Sequence, residues 1–164
     1  MHRLIPILLL TFCSLTSAEP VDLKKVGEAE LRVLFWSIYN STLYSADGQY
    51  SEGQRPLQLK IQYLLDIDSE ALVERTGEEW SSQGMNHERQ QQWLDALATL
   101  WPDVSKNDVL TLDIDEQDRS TFYRNGELLG VIEDPEFGDS FTGIWLSPTT
   151  TRPKLRLALT GQQN

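Results

Sequence analysis

An α+β domain, its sheet largely antiparallel and covered on one face by helices, is the fold class this sequence predicts. Three observations carry the prediction. Apolar residues alternate with polar ones in several short runs, and they recur at helical spacing in others. An Asn-Gly pair sits between two apolar runs, the mark of a tight hairpin. The elements come in blocks of strands, two helices, three strands and two helices, segregated as in an α+β fold rather than alternating as in a parallel one.

Taken in order, Met1 to Ala18 has a basic start at Arg3, an apolar run from Leu4 to Leu15, and small residues at Thr16 and Ala18 before Glu19. This is the pattern of a cleaved secretory leader, and the run is shorter than the ~20 residues a membrane span needs. A signal peptide over 1–18, cleaved between Ala18 and Glu19, a single domain over 19–164 and a periplasmic location are the expectations. Cys13 follows Phe12, where a lipoprotein signal wants a small residue. Cleavage removes the single cysteine, so the mature domain must be held by its core and not by disulfides.

From Val26 the chain becomes extended, and Glu30 to Tyr44 reads as one long strand. Leu31, Val33, Phe35, Tyr39 and Leu43 fall on one face and Leu34, Trp36 and Ile38 on the other, a pattern of central strands packed on both sides. Gly48 and Gly53 mark an exposed turn. Pro56 to Leu64 alternates Leu57, Leu59, Ile61 and Tyr63 against Gln58, Lys60 and Gln62, a half-exposed strand. A helix opens at Ser69 and Glu70, buries Leu72, Val73, Thr76 and Trp80, and stops at Gly84. Asn86 is placed to cap a second, which buries Trp93, Leu94, Leu97, Leu100 and Trp101 and ends at Pro102.

Val109 to Ile114 alternates again. Thr121–Tyr123 and Leu128–Ile132 then flank Asn125-Gly126, whose residues tolerate positive φ. Asp134 and Pro135 start a third helix with Phe137, Phe141, Ile144 and Trp145 on one face. A short last helix begins about Thr151, has Pro153 in its first turn, buries Leu155, Ala158 and Leu159, and stops near Gly161.

The chain carries 14 basic and 25 acidic residues, a net charge of −11, and loss of Arg3 with the leader makes it more negative. Such a surface repels phosphate backbones and anionic lipid, so it argues against nucleic-acid and membrane-surface roles. No metal site is expected. His87 is alone in the mature chain, and Asp113, Asp115 and Asp118 lack the glycine and terminal glutamate of a calcium loop. Nothing calls for a cofactor.

Phe122, Asn125, Gly126, Gly130, Ile132, Asp134, Phe137, Phe141, Ile144, Trp145 and Leu146, followed by Pro153, Leu155, Arg156, Leu159 and Gly161, give an order that resembles the bacterial chalcone-isomerase-like family. Its members are exported relatives of plant chalcone isomerases and of fatty-acid-binding proteins of the same fold. The resemblance covers nearly the whole mature chain and implies an open-faced β-sandwich. It also implies where a ligand would be held. The plant enzymes use an arginine upstream of a central strand with a threonine and a tyrosine, and the binders hold a carboxylate with an arginine and a tyrosine. The segment Ile38 to Tyr44 places Tyr39 near the enzymes' threonine and near the binders' tyrosine, a match that favours the binders. The arginine position falls near Val26 and Gly27, neither of which is arginine. Lys25 and Arg32 stand nearest, with Tyr44 in the same neighbourhood, and a lysine lacks the planar fork that grips a carboxylate. Arg156 is read as structural.

Three functions follow. The first is a non-catalytic module that binds a small amphipathic ligand such as a fatty acid through Tyr39, with Arg32, Lys25 and Tyr44 as further ligand-binding candidates. It predicts a buried pocket, with tryptophans and phenylalanines around the tail. The second is a protein partner or envelope-accessory role, which predicts a filled interior and an outer apolar patch. The third is an isomerase of the intramolecular-lyase type, which predicts convergent polar groups in an open cleft.

Overall fold

A computed structural model describes residues 22–162, so the expected leader and its junction at Ala18 and Glu19 lie outside the described residues. Six strands form one antiparallel sheet in chain order, β1 (Lys24–Val33), β2 (Trp36–Ser45), β3 (Leu57–Tyr63), β4 (Val109–Ile114), β5 (Ser120–Arg124) and β6 (Glu127–Ile132). Helices α1 (Ser69–Ser82) and α2 (Gln90–Leu100) are inserted between β3 and β4, and α3 (Phe137–Leu146) and α4 (Pro153–Leu159) follow β6. The architecture is the expected open-faced α+β sheet.

Period-two patterning decides which face is covered. Leu57, Leu59, Ile61 and Tyr63 of β3 are buried, as are Leu110, Leu112 and Ile114 of β4. The intervening Gln58, Lys60, Gln62, Thr111 and Asp113 are partly exposed on the open face. Helix residues Trp80, Trp93, Leu97, Phe137, Phe141 and Leu159 join the inner-face residues in one core. The aromatic rings there meet mostly edge to face. Phe122 lies 6.0 Å from Phe137 and 5.7 Å from Phe141, and Trp93 lies 5.8 Å from Phe137, the arrangement ring quadrupoles favour.

The Asn125-Gly126 hairpin forms as read. Both residues have positive φ, 51° and 83°, and the Asn125 side chain accepts the Val109 amide at 2.9 Å. Asp134 accepts the Glu136 amide at the start of α3 and also the Trp93 indole N–H at 2.8 Å. Asn86 does not cap α2, which begins four residues later after a turn in which His87 Nδ1 accepts the Arg89 amide. Arg156 donates to the Leu146 carbonyl at 2.7 Å, tying α4 to the end of α3 and not to its own helix end. The three aspartates that resemble a calcium loop are engaged by Gln58, Arg119 and Arg55.

One element departs from the sequence reading. Glu30–Tyr44 is not one central strand but the tip of the β1–β2 hairpin, turning at Leu34 and Phe35, and β1 is the sheet edge. The turn carries no glycine, proline or asparagine. Leu34 itself takes φ 55°, a left-handed conformation that costs a leucine about 1–2 kcal/mol. Apolar residues on both faces there signify a turn with apolar side chains, not burial on two sides.

Candidate functional site

Between the inner face of the sheet and helices α1 and α3 lies a cavity of about 430 Å³. Leu59, Ile61 and Tyr63 of β3, Leu110 and Leu112 of β4 and Phe122 of β5 form its floor, and Leu72, Phe141, Ile144 and Trp145 its roof. These are positions that alternation and helical spacing assign to the core, so the packing of sheet against helices stops short of closing. The exposed members of the lining, Val33, Ala71 and Arg75, mark its mouth.

Few polar groups interrupt this wall. Tyr39, on the inner face of β2 opposite Tyr63 in register, accepts a hydrogen bond from Trp145 Nε1 at 2.8 Å. The two phenol rings meet edge on at 6.1 Å. Burial pushes the Tyr39 hydroxyl up to about 12, and it outweighs the Trp145 hydrogen bond and the nearby positive charges of Arg152 and Arg75, which act the other way. Burial raises Tyr63 still further. Both are therefore neutral phenols at physiological pH. They serve as hydrogen-bonding groups and not as proton acceptors, since a general base works best with a pKa near the working pH.

At the mouth, Glu79 is buried, ion-paired to Arg75 and bonded by Thr151 Oγ1 at 2.8 Å. Arg75 also pairs with Glu78 at 2.9 Å. Arg152, in the turn before α4, lines the same cavity, and among the described residues it has no carboxylate within ion-pair distance. Arg75 is thus satisfied by two glutamates, and Arg152 is the arginine of the lining that is left unpaired at the opening of an apolar chamber.

Of the residues that sequence reading singles out, the structure places Tyr39 in the cavity wall and the others elsewhere. Arg32 lies on exposed β1, bonded to Glu30 and Ser37 at 3.1 Å each. Lys25 pairs with Glu28 at 3.1 Å. Tyr44 faces the open side of the sheet, with Lys60 Nζ 5.0 Å above its ring. Strand alternation separates Tyr44 from Tyr39, because five residues apart is an odd number. Trp101, Trp145 and Phe141 line the cavity, Trp80, Trp93 and Phe137 are core, and Phe35 and Trp36 are exposed.

Sequence reasoning misses the rim residues Arg75, Glu79 and Arg152, because they lie on a helix and a turn remote from the strand that carries Tyr39. A signal existed for the first two. Arg75 and Glu79 share the α1 face of Leu72 and Thr76, and a glutamate at a core-facing position is rarely buried without a partner.

The raised phenols have a consequence for stability. Their folded pKa lies above the unfolded value near 10, so their contribution is constant below pH 10 and is lost as pH rises from there, through about 12 for Tyr39 and higher still for Tyr63. A Tyr39→Phe/Tyr63→Phe variant is expected to lose less stability across that window than the wild type in equilibrium unfolding. Parallel curves would refute the assignment.

Residues 21–161 match the model of a family described as chalcone isomerase-like. An uncharacterised protein of Haemophilus influenzae is 33% identical over 137 residues, which is 84% of this chain and 67% of that one. The crystal structure of a fatty-acid binding protein of Arabidopsis thaliana superposes with a TM-score of 0.65 over 88% of this chain and 89% of that chain, at 11% identity. At that identity the likeness shows the fold alone. With the six-stranded antiparallel sheet, the four helices packed on it and a match that spans nearly every described residue, the chain belongs to the chalcone isomerase-like family.

Proposed function

We propose that this chain is an exported, periplasmic, non-catalytic protein that binds a small amphipathic ligand of the fatty-acid class in its internal cavity. One observation carries the reading: a chamber of about 430 Å³, inside the ~300–1,000 Å³ range of small-ligand sites, has apolar walls, a buried tyrosine hydroxyl and arginines at its opening. The acyl chain lies against Leu59, Ile61, Leu112 and Phe141. The carboxylate is met by the Tyr39 hydroxyl and by Arg152, whose planar fork suits two oxygens, with Arg75 beside it. The fatty-acid binding protein of the same fold supports the ligand class. A protein-partner role alone predicts a filled interior, and the chamber speaks against that as the whole function.

The test is native mass spectrometry of protein taken from its own periplasm, followed by organic extraction and N-terminal sequencing. A stoichiometric amphipathic molecule is expected, with a mature terminus at Glu19. Loss of a charge-assisted hydrogen bond is worth ~1.5–3 kcal/mol, so Arg152→Ala is expected to weaken retention of that molecule roughly ten- to hundredfold, and Tyr39→Phe by somewhat less. Protein that arrives empty, and takes up no fatty acid when offered it, would sink the proposal.

A further inference from the structure

The tip of the β1–β2 hairpin carries four large apolar side chains in succession. Val33 is 41% exposed, Leu34 88%, Phe35 97% and Trp36 71%. Turn chemistry does not ask for them: glycine or asparagine would hold the left-handed position of Leu34 without strain. Packing does not ask for them either, since they contribute nothing to the core. Yet Val33 belongs at once to the tip and to the lining of the cavity, so whatever receives the tip also faces the mouth.

We propose that the Val33–Trp36 tip docks this chain on a lipid bilayer, seating the cavity mouth against the membrane surface so that an amphipathic ligand exchanges between bilayer and cavity without crossing water. Three features favour lipid over a protein groove or a second copy. The tip is narrow. Its two aromatic rings bring at most ~150–250 Å² each, and with two aliphatic side chains, one of them half covered, the patch falls short of the ~800 Å² per partner of a stable protein interface. A bilayer needs no shaped counterpart and takes tryptophan and phenylalanine readily at its headgroup boundary.

The charges beside the tip also fit. Arg32 adjoins it, and Arg152 lines both the cavity and the groove that Arg32 shares between β1 and α4. Arg152 has no ion-pair partner among the described residues. Arg32 is shared with Glu30, so Arg152 is the cation left to meet a lipid phosphate, while the net charge of −11 holds the rest of the surface away, which favours a tip-first approach.

Docking at the tip stands on its own. Ligand exchange rests on the binding function proposed above, and the experiment separates the two. The mature chain is mixed with vesicles of phosphatidylethanolamine and a minority of phosphatidylglycerol carrying brominated acyl chains, and both flotation and tryptophan quenching are measured. Trp80 and Trp93 are buried outside the cavity lining, whereas Trp101 and Trp145 line it, so the part of the quenching that a Trp36→Phe variant loses is the part that reports the tip.

Wild type is expected to float and be quenched, and Phe35→Ser/Trp36→Ser to lose at least tenfold in vesicle association with an unchanged melting temperature. Tyr39→Phe is expected to float like wild type. A wild type that stays in solution, a double variant that floats equally well, or a tip substitution that instead dissolves a dimer would each overturn docking on lipid. Protein that floats but carries no extractable ligand leaves docking in place and removes the binding function. Protein that carries ligand but does not float does the reverse.

Discussion

Replacing Gly27 by alanine is expected to dislodge α4 from the sheet, at a cost of several kcal/mol. A Cβ at this position would lie 2.1 Å from the Ala158 carbonyl oxygen and 2.6 Å from that of Leu159. Both are backbone atoms of a helix that is held by the buried Leu155 and Leu159, so neither can step aside as a flexible side chain would. If α4 lifts, these two leucines lose burial worth ~1.5–3 kcal/mol each, against a total stability of ~5–15 kcal/mol. Arg152 precedes the first turn of α4, so the mouth of the cavity is disturbed together with the fold. Urea unfolding of Gly27→Ala should show a midpoint shifted far below wild type, and a change of under ~0.5 kcal/mol would contradict the close approach. Gly77→Ala serves as the comparison. It lies within α1, its Cβ would meet Leu94 at an ordinary 3.4 Å, and it is expected to stabilise by up to ~1 kcal/mol through helix propensity.

Phe137→Ala is the second large loss. The ring is completely buried, stacks on Phe141 at 5.5 Å, and takes edges from both Trp93 and Phe122. Truncation leaves a cavity at the meeting point of α2, α3 and β5, and such changes cost ~3–5 kcal/mol. Leucine refills part of the space and should cost markedly less. Calorimetry on the two variants decides it: near-equal melting temperatures would mean that the aromatic cluster does not act as a packed unit.

Much of this fold was legible because its signals are local. Alternation in Leu57–Tyr63 and Val109–Ile114, positive-φ residues at Asn125-Gly126 and the spacing of Phe137, Phe141, Ile144 and Trp145 each report on a few neighbouring residues. The β1–β2 turn was illegible for the same reason. It uses Leu34 and Phe35, residues that propensity assigns to a strand, and what sets the turn there is pairing of Leu31 with Tyr39 and Val33 with Trp36, which no window of sequence displays. The site divides in the same way. Tyr39 could be found because the resemblance carries the local segment Ile38 to Tyr44, whereas Arg75 and Arg152 come from a helix and a turn 77 residues apart in number and converge only through tertiary packing. Net charge, a global sum, likewise hid an apolar tip.

The strand order has a bearing on how the molecule comes into being. Every sheet neighbour is also the next strand in the chain, but β3 and β4 are parted by the α1–α2 insertion, which re-enters through the Ile67–Val104 bridge. The sheet therefore consists of two three-stranded modules, each closed by connections far shorter than the α1–α2 insertion, and joining them is the step with the larger loop-closure cost. Until β4 arrives, β3 presents an open edge of the kind that invites mispairing. The roof over the chamber is completed later still, because Phe141, Ile144 and Trp145 follow all six strands in the chain. A nascent chain therefore has all its strands before the interior between sheet and helices can close.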